Sequence, residues 1–112
     1  MDSVYIAGPL TGSTKEEQEQ KIERAVKAAA GFYDMGYAVF CPHSQTSQGK
    51  YTRYINYDGW MANDIYWLEK CDKVAFLPDW RESKGASIEH MVAKGLGKEI
   101  IYLTEEFIEQ ED

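Results

Sequence analysis

The sequence predicts a single α/β domain of Rossmann-like or flavodoxin-like type, with a mainly parallel sheet of about four strands and helices on both faces. Short runs that are apolar along their whole length alternate with longer segments of helical periodicity, which is typical of parallel strands covered on both sides. The 112 residues leave room for one core. We therefore expect one domain over residues 1–112, ending in an acidic segment at 104–112.

The first half is predicted to contain two strands joined by a helix. Val4–Ala7 is a short apolar run that stops at a Gly-Pro pair, as a buried strand does. Thr14 and Glu17 have the spacing of a capping box, and apolar residues recur behind them at helical steps until Gly36, the expected C′ glycine. Tyr37–Cys41 then reads as the second strand.

The second half follows the same alternation after a long polar loop. That loop runs from His43 to about Tyr54 and exceeds the usual connection length, as functional lids often do. The remaining predicted elements are a helix to Lys70 with Asp58 as its N-cap, a strand over Lys73–Leu77, a helix ending at Gly95 and Gly97, and a strand over Glu99–Leu103.

The charge distribution argues against nucleic-acid polymers as partners, since these require clustered Lys and Arg. The net charge is −7, and five of the 19 acids lie in the last nine residues, Thr104–Asp112. The rest of the chain, with 14 acids and 12 bases, is nearly neutral. A small phosphorylated ligand can be held there by a few local donors, whereas the acidic end is expected to fray.

Compartment, membrane and metal expectations follow from what the sequence contains. No apolar stretch approaches the roughly 18 residues that suggest a membrane span, and Met1-Asp2-Ser3 leads directly into a strand rather than a signal peptide. Cys41 and Cys71 are expected to be reduced packing residues. The predicted location is the cytosol, with no metal or cofactor and no membrane partner.

Two loops are the predicted binding region. Ligands of open parallel sheets bind where strand order reverses, and for the common order 2-1-3-4 the loops after strands one and three face each other there. Gly8–Gly12 lets backbone N–H groups approach a phosphate near a helix start, although an ordinary strand-to-helix turn explains it too. The residues expected to contact a ligand are Gly8, Pro9, Leu10, Thr11, Gly12, His43, Trp80, Arg81, Ser83, Lys84, Gly85, Ala86 and Glu89.

The loop after the third strand also has two interpretations. Trp80 could stack on a base, while Ser83 with the amides of Gly85 and Ala86 could hold a phosphate or ribose oxygen. The alternative is a solvated turn with a serine cap. Glu89 lies in the first turns of the next helix, where the helix dipole favours an ionised, stabilising carboxylate.

Several short motifs, taken in order, resemble the nucleoside 2-deoxyribosyltransferase-like superfamily over nearly the whole chain. They are Tyr5-Ile6-Ala7-Gly8-Pro9-Leu10-Thr11-Gly12, Cys41-Pro42-His43, Asn63-Asp64, Cys71-Asp72-Lys73-Val74, Leu77-Pro78-Asp79-Trp80 and Ser83-Lys84-Gly85-Ala86-Ser87-Ile88-Glu89. The chain is most similar to the short phage-associated branch of unknown function, which includes anti-Thoeris proteins that sequester cyclic ADP-ribose-type immune signals.

The resemblance implies roles for three residues. In the catalytic members a glutamate attacks the anomeric carbon with help from an aspartate and a tyrosine, and the matching positions are Glu89, Asp64 and Tyr5. Where the transferases have a second aspartate this chain has Ser83, as in the nucleotide-hydrolase branch. The enzymes also continue beyond the last strand into a segment that serves the partner's active site, whereas here only 104–112 follow.

Two functions are therefore expected from the resemblance, both in a homo-oligomer such as a dimer or tetramer. The first is a non-catalytic phage protein that sequesters a cyclic ADP-ribose-like or related nucleotide signal in the host cytosol. The second is a nucleoside 5′-monophosphate N-glycosidase or deoxyribosyltransferase-like enzyme that uses Glu89 as nucleophile. A domain that senses nucleotides or has neither activity is the third interpretation.

Overall fold

The computed structural model describes residues 1–52 and 56–109 and shows an all-parallel sheet with strand order β2-β1-β3-β4. The strands are β1 Ser3–Ala7, β2 Ala38–Phe40, β3 Lys73–Phe76 and β4 Glu99–Tyr102, and the helices are α1 Lys15–Asp34, α2 Tyr57–Lys70, α3 Lys84–Gly95 and α4 Glu105–Ile108. Two 3₁₀ segments cover Pro42–Lys50 and Trp80–Glu82. The predicted fold class and strand order are confirmed.

The strands divide the core into two layers because successive side chains point to opposite faces. Val4 and Ile6 pack with residues of α1 on one face, whereas Tyr5 and Ala7 pack with residues of α2 and α3 on the other. The crossover helices therefore cover both faces. From β1 the chain adds β2 on one side and then β3 and β4 on the other, so the strand order reverses between β1 and β3. This reversal places a crevice at the carboxyl ends of those two strands.

The ends of α1 follow the predicted signals with one change. The Thr14 side chain accepts a hydrogen bond from the Glu17 N–H at 3.1 Å, and Gly36 adopts a φ of +89°. The Glu17 carboxylate, however, accepts from the N–H of Ser13 at 2.9 Å instead of returning to Thr14. Thr14 is thus the N-cap, but the reciprocal half of a capping box is shifted by one residue.

The predicted N-cap of α2 is wrong by two residues. Asn56 has the extended backbone of a cap, and its side-chain oxygen accepts from the Gly59 N–H at 2.9 Å. Asp58 lies in the first turn, where its charge is favourable to the helix dipole. Asparagine and aspartate are comparable caps. The choice between them therefore depends on where the backbone changes from extended to helical.

The long polar loop is partly helical. Pro42 begins a 3₁₀ segment of nine residues, and His43 within it is buried. A proline suits the first position of a helix because its missing N–H would have no partner there. The predicted end of this loop at Arg53 and Tyr54 lies outside the described residues.

The acidic end does not fray over the residues described. Thr104 caps α4 by accepting from the Phe107 N–H at 3.2 Å, and Ile108 is only 3% exposed. Arg24 also donates to both carboxylate oxygens of Glu105, at 2.7 and 2.8 Å. Phe107 and Ile108, which lie among the acids, therefore anchor this segment on α1. Residues 110–112 lie outside the described part.

Cys41 and Cys71 are both free and buried, which confirms their expected packing role. Among residues 1–52 and 56–109, no helix is long and apolar enough to cross a membrane.

Candidate functional site

A buried cluster of two carboxyl groups and a tyrosine lies between β1 and the helices on its α2/α3 face. The Tyr5 hydroxyl donates a hydrogen bond to Oε2 of Glu89, which comes from α3 and is only 6% exposed. Asp64 comes from α2 and is half-buried, and it lies close enough for its charge to act on both other groups. The three positions suggested by the resemblance are thus brought together, and we call them the carboxylate cluster.

Burial controls the protonation of this cluster. It raises the pKa of Glu89 to about 8, with the Asp64 charge adding to the rise and the Tyr5 hydrogen bond opposing it. Burial likewise raises the pKa of Asp64 to about 6, against a hydrogen bond from Asn63. Near neutral pH Glu89 therefore holds its proton more tightly than Asp64 does, a division typical of acid–base sites.

This protonation corrects the expectation that Glu89 is an ionised, helix-stabilising acid. The helix dipole favours a carboxylate in the first turns, but burial disfavours its charge more strongly. The Tyr5 pKa is also raised well above its ordinary value, by burial first and then by Glu89 and Asp64. The hydroxyl therefore keeps its proton and remains a donor.

An aromatic stack fixes the ring of Tyr5 from the side of β2. Phe40 stacks on Tyr5 with ring centroids 5.8 Å apart, and Trp67 stacks on Phe40 at 5.3 Å. Sequence reasoning did not select Phe40 or Trp67. The available signal was weak, because register across two parallel strands decides that Phe40 lies beside Tyr5.

The start of α3 lies beside the start of α2. Ser83 Oγ accepts from the Ala86 N–H at 3.1 Å, so this serine acts as the cap, and the Ala86 amide has an internal partner. A Cβ placed on Gly85 would lie 3.4 Å from Met61 Sδ and 3.6 Å from the Tyr57 hydroxyl. Sequence reasoning missed both Tyr57 and Met61, which line the approach to this helix end. Lys84 is exposed beside them.

Trp80 and Arg81 make their contacts toward β4. The Trp80 ring is 8% exposed and stacks on His90 with centroids 4.0 Å apart, while the Arg81 guanidinium lies 4.7 Å from the same ring. His90 in turn forms a hydrogen bond with the Tyr102 hydroxyl at 2.7 Å. The stacking partners of Trp80 are therefore groups of the protein, and none belongs to the carboxylate cluster.

Internal contacts hold the Gly8–Gly12 loop. A Cβ on Gly8 would lie 2.8 Å from Cγ of Leu77, and one on Gly12 would lie 2.7 Å from Cβ of Glu17. The Thr11 carbonyl accepts from Lys21 Nζ at 2.6 Å, while Leu10 is half-buried. The glycines are thus required for close packing, whatever the loop binds.

His43 joins this loop at the carboxyl end of the sheet. Its Nε2 lies 3.0 Å from the Pro9 carbonyl, and burial lowers its pKa, so the neutral ring donates there. Nδ1 of His43 and Oδ1 of Asp79 are buried without a hydrogen bond among the described residues, although Arg24 lies 3.7 Å from that oxygen. Buried acceptors of this kind usually have a water or ligand partner.

No group of three or more His, Cys, Asp or Glu residues in the described ranges could hold a metal ion. The side chains of the carboxylate cluster can themselves donate a proton, accept a proton or attack as a carboxylate.

Comparison with known proteins assigns the chain to a family. No curated protein matches the chain. One family model, described as a domain of unknown function, DUF4406, matches residues 2–102 and so spans all four strands and the carboxylate cluster. The chain belongs to the DUF4406 family.

Proposed function

We propose that the protein binds a small nucleotide with its ribose against Tyr5, Asp64 and Glu89, and cleaves the N-glycosidic bond. The observation that carries this proposal is the buried hydrogen bond from Tyr5 to Glu89 beside a second carboxyl group. Two carboxyl groups with raised pKa values and a fixed donor form an arrangement suited to glycosidic chemistry. Burying two acids costs free energy of folding, so their presence in the core favours a functional role.

The reaction needs one proton shared within the carboxylate cluster. Near neutral pH Glu89 holds its proton more tightly than Asp64 does, so the reactive form arises when that proton moves from Glu89 to Asp64. The Glu89 carboxylate then attacks C1′ of the ribose while the C1′–N bond breaks, and Asp64 protonates the departing base. A water molecule then attacks C1′ and gives a proton to the Asp64 carboxylate, so the ester bond to Glu89 breaks, the Glu89 carboxylate is returned and the sugar is released.

The phosphate of the ligand is assigned to the start of α3. Lys84 is an exposed cation there, and a helix N-terminus favours an anion. The body of the chain is nearly neutral, so a local cation beside a helix end is what would attract a small phosphorylated ligand. This supports a nucleoside monophosphate over a free nucleoside.

Sequestration without turnover is the second candidate. The observation that favours it is the pKa of Glu89, about 8, because a protonated carboxyl group is a poor nucleophile. A neutral Glu89 would instead donate a hydrogen bond to a ribose hydroxyl and hold the ligand intact. In this case the ligand would be a cyclic ADP-ribose-like signal, and the protein would act against host defence as a phage product.

One assay separates the two candidates. The purified protein is incubated with nucleoside 5′-monophosphates and with cyclic ADP-ribose, denatured by heat, and its products are identified by mass spectrometry. Free base with ribose phosphate supports cleavage, whereas an intact ligand released by heating supports sequestration. Failure to bind or cleave any nucleotide would contradict both.

Two variants control this assay. Glu89→Gln keeps the shape of the side chain but cannot attack, so cleavage should fall by at least about 10³-fold while ligand affinity is largely retained. Glu106→Gln changes an exposed acid on α4 and should leave cleavage unchanged. Equal loss in both variants would argue against a role for Glu89.

A further inference from the structure

The β2 strand leaves an open edge on the sheet. It is the first strand in the order β2-β1-β3-β4, and its three residues, Ala38–Phe40, include no charge and no proline. The Ala38 N–H donates to the Asp2 carbonyl at 2.9 Å, so alternation directs the Val39 N–H outward. The parallel pairing of β2 with β1 therefore provides no acceptor for the Val39 N–H.

Helix α1 borders this edge with a second apolar stripe. Its core stripe includes Ala25 and Phe32, but Val26 and Tyr33 are 43% and 60% exposed on a separate face. These two residues line a cavity of about 450 Å³ together with Val39 and Phe40. The Tyr33 hydroxyl also reaches the Val39 carbonyl at 3.5 Å.

Helix α2 borders the same edge from the other face of the sheet. Trp67 stacks on Phe40 and is 41% exposed, and Tyr66 packs edge-on against Trp67 and is 53% exposed. Apolar side chains thus continue from one helix, across the half-buried residues of the open strand, to the other. We call this surface the β2-edge band: Val26, Tyr33, Val39, Phe40, Tyr66 and Trp67.

The opposite edge of the sheet differs in chemistry. β4 begins with Glu99, which is exposed and forms an ion pair with Lys73 at 3.2 Å. Charges on an edge strand discourage pairing with another strand. β2 is short but carries no charge, and this difference between the two edges favours a partner strand on β2.

The size of the β2-edge band fits part of a protein interface. Its half-exposed rings and valine present on the order of 300 Å² of apolar surface. That is within the range of patches that mark interaction sites, and somewhat less than half of the roughly 800 Å² that each partner of a stable dimer buries. In the proposed dimer the remaining area would come from the polar rim that usually surrounds such a core.

We propose that a second copy of this chain docks on the β2-edge band, with the two β2 strands antiparallel and Val39 opposite Val39 of the partner subunit. A residue that faces itself across a two-fold axis exchanges two N–H···O=C hydrogen bonds. The edge is therefore self-complementary, and each helix stripe gains an apolar partner. The result is one continuous eight-stranded sheet.

The proposed dimer interface is connected to the candidate site by contacts of Phe40. The dimer covers the outer side of β2, and Phe40 stacks on Tyr5, whose hydroxyl contacts Glu89. The assembly itself does not depend on the proposed function, because its tests read association and hydrogen exchange without any nucleotide.

Analytical ultracentrifugation over a micromolar concentration series tests the proposal. The wild type should sediment as a dimer, and Tyr33→Glu and Tyr66→Glu, on opposite sides of β2, should each raise its dissociation constant by at least about tenfold. Met91→Glu is the matched control, since Met91 is an exposed apolar residue of α3, 72% accessible. Circular dichroism should show that all three variants remain folded.

Hydrogen exchange supplies a second readout that does not depend on variant folding. The Val39 amide of the wild type should exchange slowly at concentrations that favour the dimer and rapidly on dilution. A wild type that is monomeric throughout the series overturns the proposal. So does a dimer that persists in both band variants, or one in which the Val39 amide stays unprotected.

Discussion

Two clusters of charged groups, both in contact with the same sheet, follow opposite rules. The carboxylate cluster is buried, and the pKa values of Glu89 and Asp64 are raised. At the amino ends of the strands, Lys73 lies 3.2 Å from Glu99 and 3.7 Å from Asp2. We call these three residues, with Asp72, the amino-end cluster.

The amino-end cluster stabilises its charged forms. The Asp72 carboxylate accepts hydrogen bonds from the N–H and hydroxyl of Ser3, which lower its pKa. Hydrogen bonds to Tyr37 and Glu99 raise the pKa of Lys73. The charges of this cluster are partnered and at least partly exposed, whereas those of the carboxylate cluster are suppressed by burial. The difference shows that the carboxylate cluster is not arranged for stability, as is common at functional sites.

The largest expected effect is on the pH dependence of folding. Glu89 has a pKa of about 8 in the folded protein against an ordinary 4.5, so its stabilising contribution is present below 4.5 and is lost as pH rises toward 8. The unfolding free energy of the wild type should fall by about 1.4 kcal/mol per pH unit in that window relative to Glu89→Gln. Urea titrations of both proteins at several pH values measure the difference, and parallel profiles would contradict it.

The second effect concerns Tyr5, because its hydrogen bond opposes the rise in the Glu89 pKa. Tyr5→Phe removes the donor, and the pKa of Glu89 should therefore rise further, as a carboxyl carbon NMR titration would show. Cleavage of a nucleotide substrate should fall by about 10²-fold. Tyr66→Phe changes an exposed hydroxyl on α2 and should alter neither quantity.

A smaller effect on the Glu89 pKa is expected for Asp64→Asn. The Asp64 charge raises the pKa of Glu89 but is a lesser cause than burial, so the variant should lower that pKa by less than the full shift. Cleavage should also be lost, since the amide of the variant cannot protonate the departing base. An unchanged Glu89 titration would show that the two carboxyl groups are not coupled.

The smallest effect should come from the amino-end cluster. Lys73→Met removes partly exposed ion pairs with Glu99 and Asp2, of a kind that contributes little and is screened by salt, together with one hydrogen bond to Tyr37. The melting temperature should change less than in any variant of the carboxylate cluster, and the difference should shrink in high salt. A large loss of stability that salt does not reduce would contradict the comparison.

The fold was largely predictable because local signals agree with the tertiary arrangement. Fully apolar strands such as Val4–Ala7 identify a covered parallel sheet, and Gly36 marks a helix end. α4 was missed because acids surround its two anchoring residues, Phe107 and Ile108. The composition of this segment shows only its charge. Whether α4 packs on α1 depends on which of its side chains face Phe32.

The site was predictable only in part. The resemblance selected Tyr5, Asp64 and Glu89, but neither spacing nor periodicity could place three residues so distant in sequence into one cluster. Phe40 and Tyr57 were missed for the same reason, since contacts between neighbouring strands and between neighbouring helix ends exist only after folding. The functions proposed for the cluster, and the ligand contacts expected of the two loops, stay predictions.

The close packing of Gly8 against Leu77 affects how mutational data on this protein should be read. Any side chain at position 8 would push the carboxyl ends of β1 and β3 apart, with or without a ligand. A library screened for activity alone would score Gly8 as intolerant and suggest a binding residue. Measuring protein abundance in the same library would separate the two causes, because abundance should fall at Gly8 but not at an exposed loop residue such as Thr11.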